Sequence, residues 1–289
     1  MSDQEQLSQA VEALIQTHQV YGNECYAVLL VKWDDCTLLR NELVKQRLLA
    51  FSDATGSSDL GWLMDHFDDY YYHLIGWDKQ QQRIFGAYRM YLPHCRSCAN
   101  PGREVVSPTL FTFSGEAANV IANGIELGRA FVACPYRREL TGRALLMLWR
   151  GIDAVFSRYP FYQYAYGPVT LTNRYSRQSI ELIREFLLSR CKDKLVRDVH
   201  PRFRLPWLSD EGCLDHENGS STMKDLDQVI REQEEKQFGV PVLLRQYASL
   251  GAVYSDIGVW PAFDRSYVCL AILAAATANR QILGARGRG

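Results

Sequence analysis

The sequence lacks the short motifs that assign many enzymes directly. It contains no G-x-S-x-G, no Walker phosphate loop, no H-E-x-x-H and no G-x-G-x-x-G after a predicted strand. Serine hydrolases, nucleotide hydrolases and dinucleotide dehydrogenases therefore lose support, because their chemistry depends on such motifs. The function has to be inferred from how ordinary charged residues are placed along the chain.

An excess of charge of one sign is also missing. Lys and Arg number 32 against 33 for Asp and Glu, a net charge of -1, so we predict no nucleic-acid partner. The longest apolar run, 267–276, is shorter than the roughly 20 residues that cross a bilayer. The first residues are acidic and polar, unlike a secretory signal. We predict a cytoplasmic protein, and leave peripheral contact with the inner membrane open.

Cysteines are few and scattered, eight in 289 residues. A chain of this length folds without disulfides, which predicts reduced thiols. Cys95 and Cys98 form one C-x-x-C beside His94, an arrangement that supplies three metal ligands or a redox pair. Because no second pair accompanies it, chance occurrence in a loop is the simpler explanation. We predict no metal site and assign the pair no role.

The hydrophobic pattern predicts alternating strands and helices, and therefore an α/β fold. A capping box, Ser2 to Glu5, begins the first helix. No linker rich in Gly, Pro or Ser divides the chain, so we predict a single domain: 1–24 as an N-terminal helix, 25–190 as the core, and 191–289 as a C-terminal extension that completes the sheet. The predicted core elements are a strand at 25–33, a helix that Asp35 caps and that extends to 51, a hairpin at 70–77 and 84–92, a strand at 125–133, a helix at 140–159, a strand at 161–171 and a helix at 176–191.

Charged residues lie on or beside three of the predicted apolar strands. Buried charges are costly unless they are paired, so two explanations stand. Either these side chains lie on a solvated face or in a structural ion-pair network, or they form a cleft for a zwitterionic amine, with carboxylates on its ammonium and arginines on its carboxylate. The residues are Asp65, Asp68, His73, Arg89, Glu126 and Arg129.

A turn rich in Arg and Gly joins the strand 125–133 to the long helix. It contains Arg137, Arg138, Gly142 and Arg143. Backbone N–H groups at the start of a helix bind phosphate, and neighbouring arginines assist them. Ordinary surface arginines on a solvent-exposed connection explain the same pattern, so the turn alone does not decide between the two.

Taken together, these segments resemble the acyltransferase family of bacterial ornithine-lipid N-acyltransferases and N-acyl amino acid synthases. That family is related to the acyl-homoserine-lactone synthases and has the GNAT (GCN5-related N-acetyltransferase) fold, an α/β/α sandwich with a central mixed, mostly antiparallel sheet. The resemblance extends from about Arg47 to Asp264. Five motifs carry it: Asp65-x-Phe67-Asp68 with His73-Leu74; Gly86-Ala87-Tyr88-Arg89; Glu126-Leu127-Gly128-Arg129; Tyr136-Arg137 with Leu148-Trp149-x-Gly151-Ile152; and Pro241-Val242-x-Leu244-Arg245-x-Tyr247-x-x-Leu250-Gly251-Ala252.

The resemblance implies an N-acyltransferase that moves a long-chain acyl group to the α-amine of an amino acid such as ornithine. It implies Glu126 as the general base, with Asp65 and Asp68 orienting the amine. Arg47, Arg89 and Arg129 would hold the acceptor's carboxylate or brace the acidic residues. The expected catalytic residues are Glu126, Asp68 and Arg129, and the expected substrate-binding residues are Arg47, Asp65, His73 and Arg89.

For the donor, the resemblance implies an acyl-phosphopantetheine thioester, on acyl carrier protein or coenzyme A, and no permanently bound cofactor. Gly142 falls one residue later than in the general acetyltransferase phosphate loop, which favours the carrier protein. Backbone N–H groups near the end of the strand would face the thioester oxygen. The expected donor-binding residues are Val132, Ala133, Cys134, Arg137, Arg138, Gly142 and Arg143.

Three further alternatives stay open. The first concerns the basic run 190–204, which is either a contact surface for carrier protein or an anionic membrane, or an ordinary solvated face. The second is that the chain is a signal synthase of the acyl-homoserine-lactone type, although its long C-terminal part argues against this. The third is that the chain is a non-catalytic module that binds acyl groups or carrier protein, because a fold does not fix a function.

Overall fold

The structure is a computed structural model that describes residues 2–55, 64–93, 104–137, 140–190, 193–207, 222–276 and 278, without the side chains of 52–55 and 190. The C-x-x-C pair, Arg138 and part of the basic run lie outside the described residues. The elements follow in this order: α1 (Asp3–His18), β1 (Gln19–Gly22), β2 (Tyr26–Lys32), α2 (Thr37–Thr55), β3 (Tyr72–Asp78), β4 (Arg83–Tyr91), α3 (Val106–Leu110), β5 (Phe111–Phe113), α4 (Ala117–Asn123), β6 (Gly124–Val132), α5 (Thr141–Arg158), β7 (Tyr164–Leu171), α6 (Arg177–Arg190), α7 (Lys194–Arg197), β8 (Val199–Pro201), α8 (Met223–Gln233), α9 (Val242–Ser249), β9 (Val253–Tyr254), β10 (Gly258–Trp260) and β11 (Ser266–Ala274).

The chain divides into two compact units. The first consists of Met1–Arg103 with Ile125–Tyr162, and the second of Glu104–Gly124 with Gln163–Gly289. Every predicted site residue belongs to the first unit. The prediction of a single domain, with a C-terminal part that completes the sheet, stays a prediction.

The first unit is built on antiparallel strands in the order β1-β2-β3-β4-β6. The predicted hairpin is present as β3 and β4, and Asp78 Oδ1 closes its turn by accepting from the N–H groups of Gln80 and Gln81 at 3.0 and 2.9 Å. A carboxylate that bonds the backbone two residues on is typical of such turns. The capping box at Ser2 is also observed at the start of α1.

Helices cover both faces of this sheet. In α5, a Cβ added to Gly151 would lie 2.5 Å from Val28 Cγ1 and 3.5 Å from Leu74. In α2, Arg47 contacts His73, the neighbour of Leu74 in β3. Because successive side chains of a strand point to opposite faces, α5 and α2 cover opposite faces. This explains why β3 and β4 are buried almost continuously and why charged residues on them must be paired.

The second unit has its own core. β11 pairs antiparallel with β7 along eight residues and also pairs with β9 and β10, while β5 and β8 form a separate two-stranded sheet. A buried cluster that includes Ile180, Ile230 and Leu244 brings together α6, α8 and α9. The segment 193–207, which has little sequence pattern, nevertheless contains the short elements α7 and β8. No helix within the described ranges is long and apolar enough to cross a membrane.

Candidate active site

The Asp65-x-Phe67-Asp68 motif folds as a reciprocal capping box around the 3₁₀ helix His66–Asp69. The Asp65 carboxylate accepts from the Phe67 N–H at 3.1 Å, and Asp68 Oδ2 accepts from the Asp65 N–H at 3.2 Å. Each acidic residue therefore fixes the other. The spacing of two aspartates three residues apart is the spacing that such a cap requires.

Three arginines converge on these two aspartates. Arg47 Nη1 lies 2.9 Å from Asp68 Oδ1, and Arg129 Nη2 lies 2.8 Å from Asp65 Oδ2. Arg89 Nη1 bonds Asp65 Oδ1 and lies 3.3 Å from Asp68 Oδ1. All four carboxylate oxygens thus accept hydrogen bonds from the chain itself. Of the two roles expected of the arginines, this geometry corresponds to bracing the acidic residues.

The network keeps both aspartates ionised. Burial alone would raise the pKa of Asp68, but the charges of Arg47 and Arg89 outweigh it and hold that pKa well below its usual range. The pKa of Asp65 is lowered in the same way, by Arg89 and Arg129 against the effect of burial. Burial and the charge of Arg89 lower the pKa of Arg129 to about 10, so it remains charged at neutral pH.

His73 completes the network as a neutral side chain. Its Nδ1 lies 3.2 Å from Arg47 Nη2 and its Nε2 lies 3.3 Å from the Asp68 carbonyl oxygen. Because the guanidinium only donates and the carbonyl only accepts, the proton is assigned to Nε2. Burial, followed by the charge of Arg47, lowers the pKa of His73 to about 3. A substrate-binding role for His73 stays a prediction, because the side chain is buried and bonded on both nitrogens.

Glu126 lies in β6 on the same face of the sheet. It is the cross-strand partner of Tyr91 in β4, two residues from Arg89, and the residue is 1% exposed. The phenol of Tyr71 donates a hydrogen bond to Glu126 Oε2. Arg89 lies over the Tyr71 ring at 5.0 Å. Tyr71 therefore connects the glutamate to the aspartate–arginine network.

A β-bulge interrupts the pairing of β6 with β4 directly after Gly128. Ala87 pairs with Phe131 and Arg89 with Gly128, so two residues, Arg129 and Ala130, oppose Tyr88 alone. Arg129 has a φ of 50°, a left-handed conformation that is unfavourable for a residue with a side chain. This conformation accompanies the contact of its guanidinium with Asp65.

The residues expected to bind the donor follow the bulge, and they differ in their accessibility. The Ala133 N–H donates to Phe85 O at 3.0 Å, so this amide is bonded to β4, and a role for Ala133 in donor binding stays a prediction. Arg137 donates to the Val132 carbonyl at 3.0 Å and to the Ala50 carbonyl at 2.5 Å. Through these contacts the Arg137 guanidinium joins the turn to α2. They do not direct it to a phosphate.

Other expected donor residues lie at a more open position. Gly142 and Arg143 are exposed in the first turn of α5, whose first residues have no side-chain cap. The Arg143 guanidinium lies 5.3 Å over the Tyr26 ring, beside a small pocket that Phe85, Tyr136 and Leu140 also line. Cys134 is partly exposed, with Sγ 3.9 Å from the Leu49 carbonyl oxygen. Roles for Val132, Cys134, Gly142 and Arg143 in donor binding stay predictions.

The structure thus brings together all seven residues expected at the acceptor side, namely Arg47, Asp65, Asp68, His73, Arg89, Glu126 and Arg129. Sequence reasoning missed Tyr71, which is hidden within a run of three tyrosines, 70–72. Its contacts with Glu126 and Arg89, which the sequence does not show, distinguish it from its neighbours. Among the described residues, no group of three or more His, Cys, Asp or Glu side chains is placed to hold a metal ion.

Comparison with known proteins identifies the class. Residues 47–150 match the family model of the acetyltransferase (GNAT) domain, the segment that carries the whole charged network. The predicted GNAT fold is confirmed, and the protein is an acyltransferase.

Two bacterial proteins are similar over most of the chain. The glycine N(alpha)-acyltransferase of Phocaeicola vulgatus is 27% identical over 248 residues, covering 82% of this chain and 74% of that protein. The glycine N(alpha)-acyltransferase of Bacteroides thetaiotaomicron is 26% identical, covering 80% and 71%. A crystal structure of aminoglycoside 6'-N-acetyltransferase complexed with coenzyme A aligns at 10% identity over 85% of this chain and 96% of that one, with a TM-score of 0.40.

Proposed function

We propose that this acyltransferase moves an acyl group from a phosphopantetheine thioester to the α-amine of an amino acid. The observation that carries the proposal is the buried Glu126 carboxylate, which accepts a hydrogen bond from Tyr71 and lies in the same strand as the bulge at Arg129, three residues before it. The two bacterial relatives are named for acylation of the α-nitrogen of glycine, which supports an amino acid as acceptor.

The reaction needs a base beside the attacking nitrogen. The neutral amine attacks the thioester carbonyl carbon, a C–N bond forms, and the C–S bond breaks. Glu126 takes a proton from the nitrogen during attack, and that proton leaves with the sulfur as the free thiol. A positioned carboxylate contributes about 10²- to 10⁴-fold to such a proton transfer.

The aspartate–arginine network contributes to the reaction by holding other side chains of the site in place. Asp65 and Asp68 are fully hydrogen-bonded within the chain, and the Asp68 side chain is 2% exposed. They hold Arg89 and Arg129 in place, and Arg89 lies over the Tyr71 ring, whose phenol bonds Glu126. This arrangement limits the motion of the base. Arg129, which is bonded through Nη2 to the partly exposed Asp65, is the arginine we assign to the acceptor's carboxylate.

The donor side of the proposal rests on the start of α5. Exposed Arg143 and the first backbone N–H groups of the helix provide positive charge for the phosphopantetheine phosphate. The same basic surface suits an acidic acyl carrier protein, so we propose carrier protein as donor, with coenzyme A as the alternative. The proposal also includes transfer of a long acyl chain and ornithine as the acceptor. It further includes a cytoplasmic location with peripheral contact with the inner membrane.

The experiment is a direct search for the product. The purified protein is incubated with palmitoyl thioesters of carrier protein or coenzyme A and, in separate reactions, with ornithine, glycine, other amino acids or S-adenosylmethionine, and products are identified by mass spectrometry. We expect an N-acyl amino acid with a free carboxylate. A lactone made from S-adenosylmethionine would instead identify a signal synthase, and failure to acylate any amino acid would refute the proposal.

A further inference from the structure

Gly128 is a glycine that the packing of the described residues does not require. Elsewhere in the same sheet, glycines are needed for packing: a Cβ at Gly76 would overlap the Phe85 ring, and one at Gly86 would lie 2.6 Å from the Phe131 carbonyl oxygen. A Cβ at Gly128 would meet no atom of the described residues within 4 Å. Its φ is not in the left-handed region either. Glycine inside a strand weakens it, and often marks close approach of a ligand.

The open space above Gly128 lies on the face that carries the charged network. Gly128 is two residues from Glu126, and alternate residues of a strand point to the same side. It is also the cross-strand partner of Arg89. A side chain at 128 would therefore point toward the space between the Glu126 and Arg89 side chains. Gly128 is partly exposed, whereas both of these neighbours are buried.

A second observation indicates a ligand at this place. The Nε atom of Arg89 is buried and has no hydrogen-bond partner within the part of the chain that the structure describes. A buried donor without a partner is unfavourable. An oxygen atom of a bound molecule beside Arg89 would accept a hydrogen bond from Nε. The open space at Gly128 lies next to Arg89, because the two residues are cross-strand partners.

We propose that the space over Gly128 is the acceptor subsite, in which the amine-bearing carbon of an amino acid lies over Gly128 with its nitrogen toward Glu126. The proposal rests on the proposed function, and it deepens it by naming the residue that admits the acceptor. The absence of a side chain at 128 is what allows the nitrogen to reach a carboxylate that is otherwise buried. A Cβ here would occupy the acceptor's volume and contact none of the described residues.

The test compares the wild type with Gly128→Ala and Gly128→Val. Because no described atom lies within 4 Å of the added Cβ, we expect Gly128→Ala to keep its melting temperature within about 2 °C. We expect kcat/KM for the amino acid to fall at least tenfold in Gly128→Ala and about 100-fold in Gly128→Val. The KM for the acyl donor, and slow hydrolysis of the thioester without acceptor, should stay unchanged.

A second measurement keeps the proposal testable if a variant folds poorly. Glycine, alanine and 2-aminoisobutyrate are compared as acceptors of the wild type. They carry zero, one and two methyl groups on the amine-bearing carbon. Because ornithine, like alanine, carries one substituent on this carbon, we expect the second methyl group, that of 2-aminoisobutyrate, to lower kcat/KM in the wild type, and to lower it more steeply in Gly128→Ala. Full activity of Gly128→Ala, or a raised KM for the donor alone, would overturn the acceptor subsite while leaving the proposed function intact. Absence of N-acyl product in the wild type would instead refute the proposed function.

Discussion

Tyr71 donates its phenolic hydrogen to the carboxylate of Glu126, and both side chains are buried. Tyr71 lies just before β3 and Glu126 lies in β6, so the contact joins two parts of the chain that are 55 residues apart. A donor at this oxygen favours the ionised carboxylate, which is the form that accepts a proton. The relationship makes Tyr71 a positioning residue for the proposed base.

Tyr71→Phe tests this role. Loss of the donor is expected to lower kcat about tenfold and to move the acidic limb of the pH profile of kcat/KM to higher pH, because Glu126 then keeps its proton longer. Tyr254→Phe is the matched control: Tyr254 is equally buried and donates to the Leu244 carbonyl at 2.8 Å in the second unit. Equal pH profiles for the wild type and Tyr71→Phe would contradict the assignment.

Asp68→Asn should destabilise the first unit. Removing this charge leaves Arg47 and Arg89 buried without full compensation, and loss of one partner from a buried pair costs about 3–5 kcal/mol. The control is Asp225→Asn, because Asp225 closes the same kind of capping box at Thr222 but at an exposed position of α8. Its replacement should cost at most about 1 kcal/mol. Similar losses in urea unfolding would indicate that capping alone explains Asp68.

His73 gives a pH dependence whose sign is fixed. Its pKa is about 3 in the folded protein against an ordinary 6.5, so between these values the unfolded chain binds one more proton. The contribution of His73 to stability is therefore greatest above about pH 6.5 and falls as the pH drops, by up to about 1.4 kcal/mol per pH unit.

The measurement is urea unfolding at pH 7, 6 and 5. His73→Gln should remove this part of the slope, and His200→Gln, at an exposed position of β8, should leave it in place. A slope that His73→Gln does not reduce would show that His73 does not titrate between the folded and unfolded states as described.

Arg143 tests the donor side. Arg143→Ala should raise the KM for the acyl donor about tenfold, the equivalent of about 1.4 kcal/mol, with little change in the KM for the amino acid. Arg158→Ala is the control, because Arg158 is also exposed on α5 and lies 5.7 Å over a tyrosine ring, at the opposite end of the helix. Equal effects of the two substitutions would exclude a specific phosphate contact.

Much of the first unit could be predicted from the sequence because its strands and helices are long and regular. The hairpin of β3 and β4, the strand β6 and the helix α5 follow the apolar pattern within a few residues. The short strands β1, β5 and β8 were not predicted, because elements of three or four residues have no periodicity to detect and form only through their partners.

The site could be predicted as a set of residues but not as an arrangement. Local spacing identified Asp65 and Asp68, yet their mutual capping depends on the 3₁₀ turn that they enclose. The bulge at Arg129 depends on a mismatch of one residue between β4 and β6, and neither strand shows this alone. The Tyr71 contact is set by tertiary packing, which no pattern in the run of tyrosines indicates.

The central claim is that Glu126 is the base in N-acyl transfer, and Glu126→Gln tests it most directly. Glutamine keeps the size of the side chain and removes its ability to take the proton. Glu116→Gln, at an exposed residue whose carboxylate lies 2.8 Å from Lys194, is the control. In single-turnover reactions with a saturating acyl donor, we predict that amide formation falls about 10²- to 10⁴-fold in Glu126→Gln, with donor affinity unchanged. Amide formation at the wild-type rate would contradict the account.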